Sequence, residues 1–102
     1  MNTYAVYRIS DDDERLERIG QVSLDAQHRL ALLSADAVAE TDLREAIGEL
    51  NEASSLLQKL PPTAGMPKFS IRKEKHDRGD PGFFDALQDN LRRWHGMELV
   101  AE

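Results

Sequence analysis

Residues 42–60 read DLREAIGELNEASSLLQKL, and the reading of this stretch decides the fold. Leu43, Leu50 and Leu57 recur every seven residues, with Ala46, Ile47, Ala53 and Leu60 filling the same stripe. One side of a helix is therefore apolar. Arg44, Glu45, Glu49, Glu52 and Lys59 fall on the opposite face. Pro61 and Pro62 follow at once, and a proline steers the residue before it out of the α region. The spacing predicts one helix over 42–60, with Thr41 as its N-cap and Asp42 and Glu45 at its positive end. Its leucine seam is too short for a free-standing coiled coil, so it needs a surface to cover it.

Upstream, residues 3–9 (TYAVYRI) have the β-branched and aromatic residues of a strand. Apolar groups on both faces point to a central position. Residues 10–14 (SDDDE) end it as a turn. Three aspartates invite a calcium reading, but the glycine and glutamate spacing of an EF-hand loop is missing. Residues 15–40 fit two patterns. One is a pair of strands at 19–24 and 29–33 around a turn at 25–28. The other is a helix over 25–40 on the stripe Ala26, Leu30, Leu33 and Ala37. Propensity favours the helix. The strands are preferred because the other strands need neighbours, and a lone two-stranded sheet is marginal in water.

Downstream, residues 61–67 (PPTAGMP) read as a loop and 68–76 (KFSIRKEKH) as a strand. The charged second half of that strand suits an edge, where lysines discourage aggregation. A second helix follows, with Asp80 as N-cap, Pro81 at its first position and Phe84, Leu87, Leu91 and Trp94 as its stripe. Arg92, Arg93 and His95 sit at its negative end, and Gly96 supplies a left-handed stop. Residues 97–100 (MELV) are a short closing strand or an apolar tail. The expected fold is a single α+β domain over 1–102, in the order β-β-β-α-β-α with an optional final β. It is a small, mostly antiparallel sheet of three to five strands with two amphipathic helices on one face.

The chain carries 13 Lys and Arg against 19 Asp and Glu, a net charge of −6. The whole excess lies in residues 1–60; residues 61–102 are balanced. Such a charge favours solubility and repels nucleic acid. The absence of cysteine excludes disulfides, thiolate catalysis and cysteine-bound zinc, and it fits a reducing cytoplasm. No basic start followed by an apolar run opens the chain, and no apolar stretch approaches the ~20 residues of a membrane span. A soluble cytoplasmic protein without a membrane partner is expected.

Three constellations could carry function. His76, Asp77 and Asp80 in KHDRGDPG could relay a proton or bind a metal. The simpler reading is a strand end, a turn at Gly79 and a helix cap. Lys68, Arg72, Lys73, Lys75 and Arg78 could contact phosphates, although Glu74, Asp77 and the acidic balance count against nucleic acid. Leu56, Phe83, Arg92, Arg93 and Trp94 are candidates for a protein interface. Leu56 lies off the main stripe, and Phe83 adjoins Phe84, so the two phenylalanines cannot share one narrow stripe. No phosphate-binding, dinucleotide-binding or nucleophile-elbow glycine pattern occurs. The expectation is a small regulatory or interaction module that binds a protein partner or itself as a homodimer, with no catalytic residues, cofactor or metal. The alternatives are a nucleic-acid accessory protein using 68–78 and an acidic mimic that inhibits a nucleic-acid-binding protein.

Overall fold

A computed structural model describes residues 2–67 and 71–102. Three strands open the chain, β1 (Asn2–Ile9), β2 (Arg15–Leu24) and β3 (Leu30–Ala35), followed by helix α1 (Glu40–Glu52). Two shorter strands come next, β4 (Ser55–Leu60) and β5 (Arg72–Asp77). Helix α2 (Phe83–Asn90) runs into a π-helical turn at Leu91–His95, and β6 (Met97–Ala101) closes the chain. The fold is α+β, in the order β-β-β-α-β-β-α-β. Among the described residues no helix is long and apolar enough to cross a membrane.

All pairing is antiparallel. The larger sheet has the order β3-β2-β1-β6, so β1 is central as its two apolar faces require. Strands win over the competing helix at 25–40 because side chains organise the turns. The Asp25 carboxylate accepts from the Gln27 and Arg29 N–H groups, both at 2.9 Å, closing the β2–β3 hairpin. Ser10 Oγ accepts likewise from Asp12 and Glu14 between β1 and β2. One face of this sheet presents Val6, Val22, Leu24, Leu30, Met97 and Leu99 to Leu43, Ala46 and Leu50 of α1 and to Phe83, Leu87 and Leu91. That single cluster is the core.

The 42–60 stretch is not one helix. α1 begins at Glu40 with Ala39 rather than Thr41 as its N-cap, and ends at Glu52. Residues 55–60 then alternate, with Leu56, Gln58 and Leu60 half-buried and Leu57 and Lys59 exposed. Leu57 thus leaves the heptad and is 52 % exposed. Pairing with β5, from Ser55 opposite Asp77 to Leu60 opposite Arg72, takes the place of two further helical turns. α2 likewise starts later than expected, at Phe83 after Gly82, and Asp80 is no N-cap. Its buried stripe is Phe83, Ala86, Leu87 and Leu91, rotated from the one expected. Phe84 is half-buried, its ring 5.4 Å from that of Tyr4.

Three sheet edges are capped by side chains. Asn51 of α1 donates to the Leu30 carbonyl and accepts from its N–H, both at 2.8 Å, on the outer edge of β3. Gln88 of α2 does the same for Leu99 on β6, at 2.8 and 3.0 Å. On β4, the Lys59 N–H donates to Asp89 and Asn90 donates to the Leu57 carbonyl. Each contact satisfies backbone groups that would otherwise offer a template to another strand.

The outer face of the large sheet is covered by ion pairs. Glu98, with its side chain 14 % exposed, accepts from Arg15 and Arg92, both at 2.9 Å. Burial pushes its carboxyl up, but the two arginine hydrogen bonds and their charges outweigh this and hold it below the ordinary carboxylate range. A depressed folded value stabilises above the unfolded value and is lost as pH falls through the folded one. Glu98→Gln is therefore expected to cost ~1 kcal/mol at neutral pH. Urea titration should show that deficit shrinking below roughly pH 4, where the wild-type carboxyl also protonates. A deficit unchanged by pH would remove the ionised carboxylate as its cause.

Candidate functional site

α2 would bring Trp94 onto its buried stripe if it continued as an α-helix, three residues beyond Leu91. The wider π turn rotates Trp94 out instead, and it is 68 % exposed. The turn closes at Gly96, whose φ of 61° is left-handed and whose N–H donates to the Leu91 carbonyl. The stop anticipated at Gly96 is therefore present, while the inward Trp94 is corrected. π turns within helices cluster at functional sites.

Trp94 forms a ridge between three clefts. Ile9, Ser10, Asp11 and Asp13 with Arg92 line one of about 470 Å³. Asp42, Glu45 and Glu49 of α1 with His95 line a second of about 450 Å³. Leu57, Lys59 and Lys73 with Asp89 and Arg93 line a third of about 260 Å³. The charges around the indole are tethered. Arg93 is held at 3.0 Å by both oxygens of Asp89, and Arg92 by Glu98. His95 is mostly buried, with Nε2 3.4 Å from Glu49 but without a hydrogen bond. Anchored arginines flanking an exposed indole form the kind of surface in which a few aromatic and arginine side chains carry binding energy.

The five interface candidates do not stay together. Arg92, Arg93 and Trp94 share this ridge. Leu56 is half-buried against the core. Phe83 is fully buried and is removed from the surface candidates, because Phe83 rather than Phe84 leads the inward stripe.

The basic run is also divided. Lys68 lies outside the described residues. Arg72, Lys73 and Lys75 are exposed on β5. Arg78 turns inward, which takes it out of the phosphate-contact set: its guanidinium donates to the carbonyls of Gln27, His28, Leu50, Asn51 and Ala53. It also lies 4.9 Å over the Phe83 ring. Burial, then the charge of Arg29, lowers the Arg78 value from its ordinary one, with Asp25 opposing.

His76, Asp77 and Asp80 do not converge on one site. His76 is buried between Asp80, at 3.2 Å from Nδ1, and Gln58, at 3.2 Å from Nε2. Asp77 is exposed. Gly82 packs on the imidazole so closely that a Cβ there would overlap it. His76, held by Asp80 and by Gln58 of β4, pins the β5–α2 turn to β4. Among the described residues no group of three His, Cys, Asp or Glu side chains could hold a metal.

Fold and site together define a two-sheet α+β domain with a tryptophan ridge. The chain matches no family model, no curated protein and no solved structure.

Proposed function

We propose that the chain is a small interaction module without catalytic activity, binding a protein partner or a second copy through the Trp94 ridge. The observation that carries this reading is a tryptophan 68 % exposed on a π turn and flanked by anchored arginines. Burying an indole contributes a large apolar area at small entropic cost. A cytoplasmic location is part of the proposal, supported by the absence of cysteine.

Trp94 is the only tryptophan, so its fluorescence reports directly on this surface. Trp94→Ala is expected to leave folding stability within ~0.5 kcal/mol. It should weaken association by tenfold or more, as loss of a hot-spot residue does. Light scattering after size exclusion, together with titration of the indole emission, reads both forms of association. Association that survives Trp94→Ala undiminished would overturn the reading.

A further inference from the structure

We propose that the open edge of β5 docks an extended acidic peptide, which joins β4 and β5 as a third strand. The phase of the ladder shows which groups are available. The Arg78 N–H donates across to the Ser54 carbonyl, while the Leu57 carbonyl and Lys59 N–H point away to Asn90 and Asp89. In an antiparallel pair these two kinds of position alternate. The backbone groups of Arg72, Glu74 and His76 therefore face β4, and those of Lys73 and Lys75 face outward. Among the described residues no hydrogen bond reaches the outward groups of Lys73 and Lys75. This edge differs from those of β3, β6 and β4, each of which is capped by a helix side chain.

Charge selects the occupant. Lys59 stands directly opposite Lys73, and Leu57 opposite Lys75, so three lysines share one face. Like charges in directly opposed positions destabilise a sheet. The chain has 19 carboxylate side chains, and six arginines lie within 4 Å of one. Among the described residues none of Lys59, Lys73 and Lys75 does. An added strand with carboxylates at alternate positions would set them all on the face of Lys73 and Lys75, with Lys59 one strand further in. A second copy is a poor occupant, because antiparallel β5–β5 pairing would bring lysines against lysines. A nucleic-acid phosphate accepts hydrogen bonds but donates none, leaving the outward carbonyls unmet, and the net charge of −6 opposes a polyanion.

The test adds an alternating Val-Glu hexapeptide to the full chain and follows backbone amides by NMR hydrogen exchange. Binding is expected to slow exchange at Lys73 and Lys75 about tenfold or more, and to weaken with added salt. A Val-Lys peptide should not bind. Lys73→Pro should abolish binding while the fold persists, because its N–H faces outward and the β4 ladder loses nothing. If Lys73→Pro unfolds, the hexapeptide N-methylated at alternate residues takes its place and should fail to bind. Three results would overturn the proposal: no binding, binding that leaves both amides exchanging freely, or a single-stranded oligonucleotide captured on the same lysines in preference to the peptide. Lys75→Glu, at a residue that lines none of the three clefts beside Trp94, should weaken peptide binding at least tenfold and leave the Trp94-dependent association unchanged, so the failure of either reading is seen separately.

Discussion

Phe83→Ala is expected to destabilise the protein by about 3–5 kcal/mol, the largest effect of any single truncation considered. The side chain is completely excluded from solvent and belongs to the core cluster. Its ring is 5.6 Å from that of His28 at the β2–β3 turn, and the Arg78 guanidinium lies 4.9 Å over the same ring. Truncation leaves a cavity that α2 and the β2–β3 turn cannot both collapse into, and it removes a cation–π contact. A domain of this size has about 5–15 kcal/mol in all, so the variant should sit near the threshold of folding. Equilibrium urea denaturation measures the change. A loss under ~1 kcal/mol would mean that Phe83 is not buried in solution, and would return it to the interface candidates.

Arg78→Ala is expected to cost about 2–4 kcal/mol. The last turn of α1 contains no basic residue, and of the carbonyls of Leu50, Asn51 and Ala53 that Arg78 meets, the Asn51 carbonyl alone also accepts from another side chain, Arg29, among the described residues. Arg78 supplies the missing charge from a distant loop, bonding Leu50, Asn51 and Ala53 through one nitrogen and Gln27 and His28 through the other. Arg78→Lys should recover less than half of the loss, since an ammonium cannot span both sets as the planar fork does. Amide exchange in the last turn of α1, compared among wild type and both variants, separates this local role from a global one. An unaltered Arg78→Ala protein would make the guanidinium a surface charge and restore it to the phosphate-contact candidates.

The two residues show how sequence and structure diverge. Phe83 and Phe84 are adjacent, so periodicity admits either as leader of the stripe. The choice between them rests on where α2 begins. The helix starts at Phe83 after Gly82, while the Asp80 carboxylate faces His76 with one oxygen and accepts from the Gly82 N–H with the other. Arg78 sits within a charged run and reads as solvated. It turns inward because the β5–α2 turn packs against the end of α1. The signal for β4 was present in the alternation from Ser55 to Leu60, but the leucine heptad offered a longer pattern and obscured it. Trp94 matched a helical stripe by spacing alone, and the π turn moved it outward.

By itself the sequence determined the α+β class, the opening strands, the existence of both helices and the stop at Gly96. These rest on local periodicity, turn chemistry and backbone restriction, which act over a few residues. Tertiary structure decided where α1 ends, which phenylalanine is buried, which arginine is a strut and which edges are capped. Each of those outcomes depends on groups 11 or more residues apart, or on the choice between near-equal local conformations. Pairing of β4 with β5 outweighs two turns of helix, and five carbonyls brought to one guanidinium outweigh its solvation.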